Sequence, residues 1–148
     1  MNKQQIEIVQ RTFDMAAPMA DELADRFYTR LFELDPTLRP MFHGDMKQQG
    51  QKLMTVLALA VRGLNKPETI VTAVQRLGQR HAGYGVQTHH YATVGEALLG
   101  TLAELFGPAF TDEVRAAWTA AYTLLATIMQ EAAAEGDAKS PIREAIAA

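Results

Sequence analysis

The chain has 148 residues, is 48% hydrophobic, carries 14 Lys and Arg against 17 Asp and Glu, and contains no cysteine. That length suits one globular domain, the scattered basic residues argue against a nucleic-acid partner, and the missing thiols exclude disulfides, thiolate nucleophiles, iron–sulfur clusters and thioether-linked cofactors. Neither the N-terminal MNKQQIEIVQ nor the longest apolar run, Val56 to Val61, has the length of a signal peptide or a membrane span, so no membrane contact and a cytoplasmic location are expected.

Taken in order, the pattern is helical throughout. Ile6, Val9, Phe13 and Ala17 form a first apolar stripe that Pro18 interrupts. Met19, Leu23, Phe27, Leu31 and Leu34 form a second, with Tyr28 beside it and Phe32 a turn further on. Asp35-Pro36 ends that helix and restarts another in the short segment TLRPMF, which delivers Phe42. His43-Gly44-Asp45 reads as a loop. Gln49, Leu53, Val56, Leu57, Ala60 and Leu64 then fit a long amphipathic helix with a polar residue at the head of its buried stripe. Asn65-Lys66-Pro67 breaks it.

In the next helix Ile70, Val74 and Leu77 run into His81 on the same face, and Gly83 and Gly85, on either side of Tyr84, are expected to let the chain leave through left-handed dihedrals. A histidine fixed there is either a hydrogen-bonded core residue or a metal ligand. Thr88 is expected to cap the following helix, whose inner face is Tyr91, Val94, Leu98, Leu102, Leu105 and Phe106, with His89 and His90 on the surface at its start. Gly107-Pro108 ends it. Thr111-Asp112-Glu113 opens a last long helix carrying Val114, Trp118, Ala121, Tyr122, Leu125, Ile128 and Met129. Gly136 is its expected end, with residues 137–148 as a flexible tail behind a domain of 1–136. Without any period-2 alternation, the class is all-α with about seven helices. Tyr28, Gln49, His81 and Tyr91 occupy inner stripes where leucine would pack better; each costs about 1 to 3 kcal/mol if left unpaired, and a bound polar ligand would supply partners.

The chain resembles the globins, specifically the single-domain bacterial haemoglobins related to the haem domain of flavohaemoglobins, and is similar to neuroglobin as well. FYTRLFELDPTLRPMF (27–42) looks like that family's second and third helices, KLMTVLALAV (52–61) its distal helix, and LGQRHAGYGV (77–86) its proximal helix. HHYATVGEALL (89–99) and FGPAFTDEVRAAWTAAY (106–122) look like its last two. The resemblance implies a globin fold and a non-covalent haem b whose iron is held by His81. It makes Phe42 the aromatic that packs on the haem and Tyr28 and Gln49 the distal pair that hydrogen-bonds oxygen. Leu53 becomes the apolar wall of the distal pocket, and Leu77, Val86 and Tyr91 join the residues expected to touch the cofactor. Tyr91 and Glu135 match the pair behind the proximal histidine in flavohaemoglobins. Two departures matter: Gln49 stands where neuroglobin has a histidine, and the flavohaemoglobin reductase is expected to be absent from this chain. Oxygen, nitric oxide and carbon monoxide are the implied ligands. Reversible oxygen binding and nitric oxide dioxygenation with a separate reductase both fit, as does a weaker reading as a sensor or electron-transfer globin. A monomer or weak homodimer is expected. His43, next to Phe42 in a glycine-containing loop, is a second candidate for the iron.

Overall fold

The computed structural model describes the backbone of residues 1–138 and the side chains of residues 1–135. Among these residues there are six α-helices linked by short 3-10 turns, and no strand. The helices are α1 (Lys3–Ala16), α2 (Ala20–Leu34), α3 (Met46–Arg62), α4 (Val71–Gly83), α5 (Thr88–Phe106) and α6 (Asp112–Ala138). Local chemistry sets the ends: the Asn2 side chain accepts from the Gln5 amide at 2.8 Å, Asp35 from Thr37 at 3.0 Å, and Asp45 from Lys47 at 2.9 Å. Pro18 falls in the three-residue turn between α1 and α2, as its missing N–H requires.

Four expectations change. The helix expected around TLRPMF is a six-residue 3-10 segment, Pro36–Met41, because Pro40 cannot donate to an α-helical ladder. Gly83 stays inside α4, and of these two glycines Gly85 alone takes a left-handed φ, +91°. Gln87 rather than Thr88 precedes α5, and the Gln87 N–H donates to Nδ1 of His90 in the first turn at 2.9 Å, the reciprocal bond of a capping box. The last helix runs through Gly136 to Ala138; a single glycine costs about 1 kcal/mol in a long helix and does not end it. The expected tail lies outside the described residues apart from 137 and 138.

The core is where the stripes of α1, α2, α5 and α6 meet: Val9, Phe13, Leu23, Leu102 and Trp118 are fully buried there. The Trp118 indole N–H donates to the Thr12 hydroxyl at 2.8 Å, which donates in turn to the Ile8 carbonyl at 2.7 Å, so the buried polar atoms are satisfied in series. Around this centre α3 is seated on α2 and α1, and α4 on α6.

The seat of α4 is unusually close. At Gly78 an added Cβ would lie 2.3 Å from the Met129 carbonyl oxygen and 2.6 Å from its Cα. That obstacle is backbone and cannot rotate away. Gly78→Ala would gain about 1 kcal/mol of helix propensity, whereas forcing a methyl into a packed contact costs about 1 to 3 kcal/mol and more where backbone must move. Urea unfolding should therefore show a net loss of stability for Gly78→Ala; equal or greater stability would contradict the observed closeness of α4 and α6.

Candidate functional site

One half of the site is built where α3 crosses α2. Gly50 permits the approach: a Cβ there would stand 2.9 Å from that of Ala24. The close crossing brings Gln49, in the first turn of α3, to Tyr28, and the Gln49 Nε2 donates to the phenol oxygen at 3.2 Å. Tyr28 is 8% exposed and lies in an aromatic cluster, edge-on to Phe27 at 5.0 Å and to Phe42 at 5.4 Å, and stacked with Phe32 at 6.0 Å. Phe42, delivered by the 3-10 segment, also meets Phe32 edge-on at 5.4 Å, and the Arg39 guanidinium covers the Phe32 ring. Burial pushes the Tyr28 phenol above its ordinary pKa, and the Gln49 bond pulls it only partly back. The phenol is neutral. Its oxygen is occupied as an acceptor and its proton remains to be given.

The other half is the end of α4. His81 is half-buried, and its Nδ1 lies 2.9 Å from the Leu77 carbonyl one turn earlier. A carbonyl only accepts, so Nδ1 carries the proton and Nε2 has the lone pair. Burial lowers the imidazole pKa, the Leu77 carbonyl opposes this, and the charge on Arg80 lowers it further. The ring is therefore neutral near physiological pH, with one nitrogen fixed and the other available to a metal. Among the described residues no group of three or more His, Asp or Glu is arranged to hold a metal ion.

Leu53, Leu77 and Val86 are half-buried apolar residues on α3, on α4 and just after α4. Because α3 is supported by α2 and α1, and α4 by α6, the helices carrying Gln49 and His81 are held by different neighbours rather than by each other. The His81 Nδ1–H donates to the Leu77 carbonyl, and Glu135 is exposed on α6. Tyr91 is half-buried, with its backbone carbonyl accepting from the Tyr122 hydroxyl at 2.6 Å. His43 is exposed in its loop; His89 and His90 lie at the start of α5 with rings 4.2 Å apart. The Leu77 carbonyl is absent from the expected set, as are the glycines that set the helix crossings. The i−4 spacing of Leu77 from His81, and glycines placed inside otherwise helical patterns, were the available signals.

The Globin family model matches residues 25–129. The chain belongs to the globin family. It is 34% identical over 125 residues to the flavohemoprotein of Bordetella pertussis, covering 82% of this chain and 31% of that protein. It is 32% identical over 131 residues to the flavohemoprotein of Vibrio cholerae, covering 86% and 33%. The chain thus spans about a third of the length of these relatives. Among solved structures, it is similar to a bacterial globin from Campylobacter jejuni, with a TM-score of 0.82, 24% identity, and 93% of this chain and 100% of that one covered. It is also similar to an engineered carbene transferase made from a proposed nitric oxide dioxygenase of Rhodothermus marinus, with a TM-score of 0.84, 26% identity, and 100% and 99% covered. No described helix is long and apolar enough to cross a membrane.

Globin membership implies haem and a diatomic gas. The residues present fit that group: a neutral imidazole with a free nitrogen, an apolar and aromatic surround, and a phenol with a proton to donate. His81→Ala should leave far-ultraviolet circular dichroism helical while abolishing or shifting the Soret band of the expressed protein. An unaltered band would move the ligand to His43, His89 or His90.

Proposed function

We propose that this chain is a haem b globin that binds oxygen reversibly, with His81 as the iron's protein ligand and Tyr28 and Gln49 as the distal pair. The observation that carries the reading is the direction of the bond between that pair. Gln49 donates to the Tyr28 oxygen, so the phenol hydrogen is directed away from Gln49 and is the donor left for a gas ligand. When bound, haem supplies a ferrous centre that shifts electron density onto oxygen. A donor aimed at developing negative charge makes a charge-assisted hydrogen bond, and the Gln49 bond polarises the phenol in the same sense. Phe42 packs against the Tyr28 ring, and its apolar face beside the phenol strengthens that donor.

On the proximal side the Leu77 carbonyl is a neutral acceptor and leaves the Nδ1 proton on the ring. A neutral imidazole is a softer donor than one facing a carboxylate, which favours reversible holding of a gas over further chemistry. Nitric oxide dioxygenation is the second reading, supported by the flavohemoprotein relatives. That reaction needs electrons, which a reductase would supply.

Removing the Tyr28 hydroxyl costs about 1.5 to 3 kcal/mol for a bond to a charged group, which is roughly 10- to 150-fold in affinity. Tyr28→Phe should raise the oxygen off-rate by that order and leave carbon monoxide nearly unchanged, with Gln49→Leu giving a smaller effect of the same sign. Equal effects on both gases would overturn the donor assignment. Turnover of nitric oxide to nitrate at a rate sustained by an added flavin reductase, with Tyr28→Phe slowing it, would favour the second reading.

The phenol gives a pH prediction. Its pKa is raised above the ordinary 10.0, so the donor keeps its proton from neutrality up to about pH 10 and is lost only beyond it. Stopped-flow oxygen dissociation should be flat between about pH 7 and 10, because no proton leaves Tyr28 in that window. An acceleration that begins below pH 9 and disappears in Tyr28→Phe would contradict the burial effect.

A further inference from the structure

Away from the distal pair, α2, α5 and α6 enclose a cleft of about 560 Å³, within the size range of small-molecule sites. Its floor is the outer face of α5, where Gly95 and Gly100 withhold side chains for separate reasons. A Cβ at Gly95 would meet the Tyr122 ring at 2.8 Å, and one at Gly100 would meet the Arg30 side chain at 3.0 Å. The two ends of this floor differ in chemistry. Arg30 lies over Gly100 and binds Glu104 through one terminal nitrogen at 2.7 Å, leaving its Nε buried and without a hydrogen bond among the described residues. Arg115 stands on the same side: Tyr122, two turns later on α6, is beside Gly95 and Tyr91, so Arg115 falls toward the end of α5, where it stacks on Phe110 at 5.0 Å. Among the described residues Arg115 forms no ion pair.

The opposite end is apolar. Arg26 pairs with Glu104 and Arg30 lies over Gly100, so α2 runs antiparallel to α5 and Leu34, one turn beyond Arg30, lies toward the start of α5. Leu34 is 42% exposed, a large apolar side chain with water for a neighbour, and Leu99 continues the surface toward the arginines. From Tyr91 to Gly100 the floor is about 14 Å long at 1.5 Å per residue. Glu96 at the rim limits the net positive charge, which suits a single negative group better than a dianion.

We propose that this cleft binds an amphipathic monoanion, a medium-chain alkyl carboxylate, with its carboxylate between Arg30 and Arg115 and its chain along Gly95, Leu99 and Leu34. The planar fork of Arg115 offers a donor set suited to a carboxylate, and Arg30, which lines the same cleft, adds a second positive charge. The site is separate from the distal pair and from His81, so its test does not depend on how those residues are read.

The test is calorimetric titration of decanoate, below its micelle concentration, into the protein as purified and held under carbon monoxide, which keeps the acid off any iron. The expected result is saturable one-to-one binding. Decanol, with the same chain and no charge, should bind at least about tenfold more weakly, and Arg115→Met should weaken decanoate by a similar factor, since each removes a charge-assisted bond. Arg115→Lys should recover part of the loss. Arg30→Met offers a second variant if Arg115→Met proves unstable. Unsaturable uptake, equal affinity for decanol, or unchanged decanoate binding in both arginine variants would overturn the proposal. So would binding to phosphatidylglycerol vesicles that needs the same arginines while free decanoate gives no saturation, because the occupant would then be a membrane surface.

Discussion

Gly78 has no side chain, and the position of His81 depends on that. The helix carrying the histidine is seated almost entirely on α6, and its closest approach, at the Met129 backbone, is three residues before the imidazole. A side chain at 78 would lift α4 and carry the ring with it. Gly50 performs the same task on the other side, letting α3 settle against Ala24 so that Gln49 reaches Tyr28. Two residues that contribute no functional atom thus set the geometry of the ones that do. Each crossing trades helix propensity, about 1 kcal/mol per glycine, for a helix distance that no larger residue permits.

Both halves of the site then follow one rule: a polar group is held by a bond that leaves its reactive atom free. The Leu77 carbonyl fixes the tautomer of His81 and exposes Nε2. The Gln49 amide occupies the phenol oxygen and leaves the phenol hydrogen. Burial keeps both groups neutral, lowering the imidazole pKa and raising the phenol's, so that near pH 7 one is a lone-pair donor and the other a proton donor. The aromatic packing of Phe27, Phe32 and Phe42 around Tyr28 gives this arrangement its rigidity, since rings in edge contact have few alternative rotamers.

Much of this was legible in the sequence because helical periodicity is a strong signal. The stripes of α1, α2 and α6 emerge at the predicted residues, with Val9, Phe13, Leu23 and Trp118 at their centre. Capping was less legible. Gln87 holds the position expected of Thr88, and the His90 imidazole, a less common partner than a carboxylate or amide, accepts its N–H. The 3-10 form of Pro36–Met41 depends on Pro40, whose effect on helix type is decided by where the chain must go next. In the site, side-chain identities were readable from residue type and family pattern, whereas the partner of the His81 ring was a backbone atom that any residue at 77 would supply. Sequence motifs record side chains, so a carbonyl leaves no mark in them.

That difference can be measured. If His81 holds the iron and its Nδ1–H rests on the Leu77 carbonyl, the ferrous haem-loaded protein should show an iron–imidazole stretching band of neutral-imidazole character that is absent in His81→Gly without added imidazole and has the same frequency in Glu135→Gln. A band that falls in frequency in Glu135→Gln would show that a carboxylate acts on the ring, contradicting the neutral proximal ligand on which the oxygen-binding account rests.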